Sequence, residues 1–266
     1  MAEPSLGTHL RRRYYAIAFW TMLRKEVNRF MRIWVQTILP PAITMALYFV
    51  IFGHLIGPRI GEMHGFSYMQ YIAPGLIMMS IITNAYSNVV SSLFGAKFQR
   101  FIEEILVAPI PELLMLAGYV AGGVVRGVIV GLVVTATALC FTDLHVQSWP
   151  VTLAVVVLTA ALFSLAGLIN ALFAKKFDDI SIVPTFILTP LTYLGGVFYS
   201  IDMLPPFWQH ASLANPILYM VNAFRYGMLG VSDISIETAF SVLLLFCAAL
   251  FLASLALLKR GVGLRT

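Results

Sequence analysis

Charge is what this sequence has least of. Of its 266 residues, 11% are Asp, Glu, Lys or Arg and 60% are hydrophobic. An ordinary soluble domain is roughly 25% charged, so a water-exposed fold made from this chain would lack the polar groups to cover its surface. Lipid is the remaining solvent. Cysteine is nearly absent. Cys140 and Cys247 lie inside apolar runs and read as small buried hydrophobes, not as a disulfide framework or a metal site. No Gly-x-x-x-x-Gly-Lys-Ser/Thr loop occurs, which excludes nucleotide binding by that route. The five His are scattered, with no metal-ligand spacing and no nucleophile elbow. Carboxylates of the kind that proton- or sodium-coupled transport needs are missing from the apolar runs. The expectation is a chain that is not an enzyme, holds no cofactor of its own and draws any driving energy from elsewhere. The triple Arg11-Arg12-Arg13 precedes only a short apolar stretch without a small-residue cleavage site, so no cleavable signal is expected.

What the sequence does have is long apolar runs, at about 33–56, 70–95, 113–141, 151–173, 180–199 and 239–258, and a mean hydropathy of +0.89. Each run is long enough to cross a bilayer of ~30 Å as a helix. The alternating ten-residue segments of a membrane barrel are absent. The fold class expected is an all-α polytopic membrane protein with six transmembrane helices and a single permease-sized domain over residues 1–266.

The net charge of +5 sits beside the apolar runs, which favours anionic lipid headgroups over nucleic acid as the counter-charge. On the six-span arrangement, fourteen of the seventeen Lys and Arg fall on one side. They are Arg11, Arg12, Arg13, Arg24, Lys25, Arg29 and Arg32 before the first span, Lys97 and Arg100 after the second, Lys175 and Lys176 after the fourth, and Lys259, Arg260 and Arg265 at the end. Arg59 and Arg225 lie on the other side, and Arg126 lies within span three. The positive-inside rule then places both termini in the cytoplasm. Trp149 and Trp208 fit interfacial anchors. Pro40, Pro41, Pro184 and Pro190 interrupt spans one and five.

Before the first span, Trp20, Leu23, Val27, Phe30 and Trp34 recur at helical spacing, with Arg24, Lys25, Asn28, Arg29 and Arg32 between them. This predicts an amphipathic helix over 10–32 lying in the membrane interface; a helix packed on a partner is the other reading. Residues 97–109 carry Phe98, Ile102, Ile105 and Leu106 on one side and Arg100, Glu103 and Glu104 on another, before Pro109 and Pro111. That short helix suits either docking into a partner's groove or resting on headgroups. Residues 200–228 are too apolar for a loop in water, yet Pro205, Pro206 and Pro216 break them, as in two helices dipping into one leaflet; an extra pair of spans is the alternative. In span three, Gly118, Gly122, Gly123, Gly127 and Gly131 permit close helix approach, within one chain or across a dimer. Arg126, in the same span, either contacts a substrate pathway or snorkels to phosphate, with no acidic residue in another span to pair with it.

The stretch Leu188-x-x-Leu191-x-x-Leu194-Gly195-x-Val197, followed by Leu204-Pro205, Pro216-Ile217-x-Tyr219 and Arg225, resembles the signature of the type-2 ATP-binding-cassette (ABC) exporter permeases. The resemblance covers essentially the whole chain. Phe66-Ser-Tyr-Met-Gln-Tyr, Pro74-Gly-Leu-Ile-Met-Met and Phe177-Asp-Asp-Ile-Ser are similar to a bacterial inner-membrane subgroup of these permeases. The resemblance implies six spans per chain in a homodimer, with ATP and Mg held by a separate ABC ATPase subunit. It implies that residues 10–32 form a connecting helix, residues 97–109 a coupling helix, and residues 200–228 re-entrant outer helices. Phe98, Arg100, Glu103, Glu104 and Leu106 then carry ATPase coupling, with Asp178 and Asp179 in the next loop. Leu194, Gly195, Pro205, Pro216, Tyr219 and Arg225 carry the signature, while Arg126, Gly122 and Gly127 lie outside it as pathway or packing residues. The expected function is outward movement of an amphipathic, lipid-linked, polysaccharide or drug-like substrate across the bacterial inner membrane. A secondary transporter or channel independent of ATP is the alternative.

Overall fold

The computed structural model describes residues 8–264 of the chain. Arg265 and the Arg11 side chain, counted above among the cations of one side, lie outside the described residues. The architecture is helical throughout except for one two-residue hairpin. Helix α1 (Thr8–Arg32) leads into α2 (Trp34–Tyr48), which continues through a π-helical stretch, Phe49–Ile56, into α3 (Gly57–Ile60). Strands β1 (Glu62–Met63) and β2 (Phe66–Ser67) pair antiparallel around His64 and Gly65, both at positive φ (51° and 81°), as a tight two-residue turn requires. Then come α4 (Tyr68–Phe98), α5 (Phe101–Val107), α6 (Glu112–Leu139) and α7 (Trp149–Phe173). The chain goes on through α8 (Asp179–Val183), a π-turn (Pro184–Leu188), α9 (Thr189–Tyr193), α10 (Pro206–Leu213), α11 (Pro216–Leu229) and α12 (Ile236–Lys259).

Among the described residues, five helices are long and apolar enough to cross a membrane: Trp34–Ile60, α4, α6, α7 and α12. The run expected over 180–199 is different. It is helical only over residues 179–193, about 22 Å at 1.5 Å per residue, which is short of a ~30 Å bilayer core. Pro184 and Pro190 withdraw two N–H donors from it. Thr189 Oγ1 donates instead to the Pro184 carbonyl at 2.9 Å, and Thr192 Oγ1 to Leu188 at 2.6 Å. The rest of that run turns through Leu194–Ser200 against the top of α4.

Helix α4 is the centre of the bundle. Of its most apolar window 78% is buried, against 17% for both Trp34–Ile60 and α12, so those two present broad apolar faces outward. A capping box starts α4. Ser67 Oγ accepts the Gln70 N–H at 3.3 Å and Gln70 Oε1 accepts the Ser67 N–H at 3.1 Å. The core is built where α4 meets α6 and α7, around Tyr86, Val89, Leu168 and Tyr119.

The glycines of α6 are spent on packing within the chain. A Cβ on Gly118 would lie 2.7 Å from Met22 Cβ, one on Gly122 2.5 Å from Glu26 Cβ, and one on Gly127 3.2 Å from Ala85 Cβ. The small-residue stripe therefore seats α1 on one flank and α4 on the other. This sets the buried face of α1, which is Ala18, Met22, Glu26 and Phe30. The expected apolar stripe is displaced accordingly, since Trp20 and Trp34 are exposed. Both α1 faces carry apolar residues, so the spacing alone does not choose between them; the α6 notch does. Helix α1 follows α6 lengthwise, from Tyr14, whose hydroxyl donates to the Pro109 carbonyl at 3.3 Å, to Glu26 on Gly122.

Candidate functional site

Three places concentrate the candidate residues. The first is the basic end of the bundle, where α4 ends and the 174–179 loop begins. Arg100 stands between α4 and α5 with its backbone in the left-handed region (φ 62°), so the chain reverses there. This divides the expected 97–109 helix: α5 is only Phe101–Val107, and Phe98 belongs to the end of α4. Ile102 is buried, Ile105 half-buried, and Phe101, Glu103, Glu104, Leu106 and Val107 are exposed, Val107 to 85%. Phe98 meets Phe177 edge to face at 4.8 Å, and Phe94 packs beneath both at 6.2 and 5.0 Å. The exposed Phe98, Phe101, Leu106, Val107 and Phe177 thus put apolar surface from both loops at one end, with Glu103 and Glu104 beside it.

Two neighbouring charges serve the scaffold. Lys97 Nζ donates to the carbonyls of Ala171, Leu172 and Ala174 at 2.7, 2.7 and 3.1 Å, satisfying the last turn of α7. Asp179 accepts the backbone N–H groups of Lys175 and Lys176 at 2.8 and 2.9 Å. Those bonds hold its carboxyl below the ordinary value, with the two Lys charges helping. Asp179 therefore shapes the loop, whereas Asp178 is exposed.

The second place is the opposite end, where the signature residues converge. Arg225 is fully buried on α11. Its Nη2 donates to the Gly196 carbonyl at 2.6 Å, its Nε to the Tyr71 carbonyl at 3.4 Å, and its guanidinium lies 4.0 Å from the centre of the Tyr71 ring. A Cβ on Gly195 would lie 2.8 Å from Ile217, and one on Gly75 2.7 Å from the Val197 carbonyl oxygen. Leu194 caps α9, Pro205 precedes α10, Pro216 opens α11, and Tyr219 donates its hydroxyl to the Leu213 carbonyl at 2.8 Å. The signature is thus a clamp: it fixes two short helices and the 194–200 turn onto the start of α4. Asp233 accepts from Ser200 Oγ at 2.9 Å and from the Ile201 N–H at 3.1 Å, and lies 3.5 Å from His64. His64, Asp202 and Asp233 bring ligand atoms within 4.8 Å of one another, but the Asp233 carboxylate is already occupied by these donors.

The third place lies inside the bundle. Glu26 is fully buried, accepting from Ser92 Oγ at 2.7 Å and lying 3.4 Å from Arg29 and 3.6 Å from Lys25. Arg29 Nη2 donates to both the backbone and the side-chain oxygen of Asn88, each at 2.8 Å. One turn further along α4, Asn84 Oδ1 accepts from Arg126 Nη2 at 3.2 Å. Among the described residues no acidic side chain of another span reaches Arg126, and the one buried carboxylate of the cluster comes from outside the apolar runs. Glu26 enters on α1, which is not a span, and the partner of Arg126 is an amide. The signal for this cluster was in the sequence. Ser80, Asn84, Asn88 and Ser92 recur every fourth residue and so share one face of α4.

Residues 17–229, spanning α1 to α11, match the ABC-2 type transporter family. The chain belongs to that family. Over 252 residues, 95% of this chain and 98% of the relative, it is 63% identical to the inner membrane transport permease YadH of Escherichia coli (strain K12). It is 25% identical to nodulation protein J of Rhizobium leguminosarum bv. viciae over 80% of this chain and 83% of that protein. With nodulation protein J of Rhizobium meliloti (strain 1021) the identity is 23% over 92% of each. Family membership makes an ABC ATPase subunit the partner of this helical membrane chain. Gly195, Pro216 and Arg225 lie inside the matched region.

Proposed function

We propose that this chain is the membrane permease of an ABC exporter, working as a homodimer with two copies of a separately encoded ATPase that carries the ATP and Mg. The observation that carries the reading is the apolar patch of Phe98, Phe101, Leu106, Val107 and Phe177 with Glu103 and Glu104 at its edge, in a chain of the ABC-2 family. Two loops meeting ring to ring at one end offer a partner one continuous surface, and a push on α5 reaches both α4 and the 174–179 turn. Residues 97–109 form the coupling element and residues 10–32 the connecting helix, its exposed cations beside lipid headgroups. The 180–199 run, helical as far as Tyr193 and turning beyond it, makes a sixth crossing, and residues 200–228 form the re-entrant outer pair. The strong similarity to a protein named as an inner membrane transport permease supports the bacterial inner membrane as location. The excess of Lys and Arg at the α5 end supports cytoplasmic termini. Outward transport of an amphipathic substrate is the direction this reading takes.

The test is co-expression with the candidate ATPase, purification in mild detergent, and the mass of the complex. Two permease chains with two ATPase chains are expected, and Glu103→Arg or Glu104→Arg should lower ATPase association while leaving the permease folded. A stable assembly that holds no ATPase would overturn the reading. A carrier independent of ATP has one observation in its favour, the buried Glu26 carboxylate, and predicts transport by the chain alone under a proton gradient.

A further inference from the structure

The polar cluster inside the bundle has a charge surplus. Arg29 and Arg126 line it, with the exposed Lys25 at its edge, against Glu26 as its one buried carboxylate. Among the described residues Arg126 has no carboxylate partner, and its one hydrogen bond is to Asn84. A cation in a water-poor bundle is costly unless an anion or a hydrogen-bonding partner meets it. Its Nε is buried and unpartnered, and so is the Oγ of Ser80, which is 3% exposed. Both unsatisfied groups belong to residues that line the same open pocket of about 280 Å³, together with Thr37, Thr83 and Asn84.

A polar route leads to that pocket. Thr83 and Ser91 are exposed on α4 with Ser87 half-buried between them, a row running beside the Asn84–Asn88 row. At the basic end the row opens into a second pocket, of about 420 Å³, lined by Lys25, Arg29, Ser91, Ser92 and one carboxylate, Glu104. On the α2 side of the Arg126 pocket Pro40, Pro41 and Met45 alternate with the polar Gln36, Thr37 and Thr44, and Leu39, Ile43 and Leu47 stand exposed along the same helix. Cations and hydroxyls on one side with an outward apolar helix on the other suit a phosphate joined to an alkyl chain.

We propose that the pocket at Arg126 binds the phosphate headgroup of an anionic amphiphile, whose apolar chain lies along α2, and that Arg29 and Lys25 at the far end of the α4 polar row first capture it. Calling this amphiphile the cargo rests on the permease reading; the binding site does not. The shared chemistry, a phosphate ester, comes either from a bilayer phospholipid or from a transported molecule.

The experiment uses the full chain in maltoside micelles, without ATPase, and titrates dodecyl phosphate by calorimetry. Saturable binding is expected for the parent protein and none for the cationic dodecyltrimethylammonium. Arg126→Gln should weaken dodecyl phosphate about tenfold, Arg126→Lys less, and Ser80→Ala, which leaves every charge in place, about threefold. Phosphatidylglycerol added to the micelles displaces the probe if the site belongs to bilayer lipid. Resistance to it, with retained saturable binding, assigns the site to cargo. Inorganic phosphate should compete weakly, because it brings no chain. Equal affinity in the parent, Arg126→Gln and Ser80→Ala proteins, all eluting as one folded species, would overturn the proposal. That result leaves ATPase association untouched, and a permease that binds no ATPase leaves this site standing.

Discussion

The guanidinium of Arg225 sits 4.0 Å from the centre of the Tyr71 ring while its Nη2 holds the Gly196 carbonyl. Three segments distant in sequence, α11, the start of α4 and the 194–200 turn, are joined by this one side chain. Arg225→Lys keeps the charge but loses the planar fork. It should cost about 2–3 kcal/mol, because a buried carbonyl loses a charge-assisted partner. Thermal unfolding of the detergent-solubilised protein measures this. A melting temperature equal to that of the parent would show that the clamp lies elsewhere.

Glycine positions in α4 separate close approach from mere helical freedom. Gly75→Ala should destabilise by about 1–3 kcal/mol through overpacking, since its new methyl would meet backbone, the Val197 oxygen at 2.7 Å. Gly95, on the same helix, has nothing within 4 Å of a Cβ. Gly95→Ala should be neutral or stabilising by about 0.5–1 kcal/mol from helix propensity. Paired melting curves of the two variants decide the matter, and equal effects would count against Gly75 as a contact point.

Phe98 and Phe177 connect the two loops at the basic end. Their edge-to-face contact at 4.8 Å should appear as a coupling of about 0.5–1.5 kcal/mol in a double-mutant cycle of Phe98→Ala and Phe177→Ala. On the permease reading the same pair also affects ATPase-stimulated turnover. Strictly additive stabilities would remove the idea that the loops move together.

Acid should loosen the turn at 174–179. The Asp179 carboxyl is held below its ordinary value chiefly by the Lys175 and Lys176 N–H groups. A depressed folded-state pKa stabilises the turn above the unfolded value of about 3.9, and that stabilisation is lost as pH falls through the folded value. Amide exchange at Lys175 and Lys176 should therefore be slow and pH-independent in protection down to about pH 4 and lose protection below it. Asp179→Ala, which leaves no side-chain acceptor for the two N–H groups, should remove the protection at neutral pH. Protection unchanged in that variant would contradict the assignment.

Much of this protein can be read in its sequence because lipid imposes a simple demand. Apolar runs of sufficient length must be helices, and Trp34–Ile60, α4, α6, α7 and α12 all fall where the runs predict. The signature from Leu188 to Arg225 was legible as a pattern, but not as a clamp, because neither Tyr71 nor Gly75 is near it in sequence. The run over 180–199 is helical over only part of its length for a local reason: Pro184 and Pro190 withdraw helical hydrogen-bond donors, and hydropathy does not register that. The amphipathic segment at 97–109 was legible in composition, while the left-handed turn at Arg100 that shortens it was not.

By itself the sequence determined the solvent, the helical class, the family and the positions of the long helices, since each follows from composition and from spacing along one chain. Tertiary structure decided which faces those helices bury. Glu26 reads as one charge among many in Arg24-Lys25-Glu26, and only the notch at Gly122 and the hydroxyl of Ser92 draw it inside. Arg126 reads as an isolated intramembrane charge, and only the register of α6 on α4 gives it Asn84 as a partner and an open pocket beside it. Where a helix is apolar all round, periodicity cannot choose its buried side; steric fit between neighbours does.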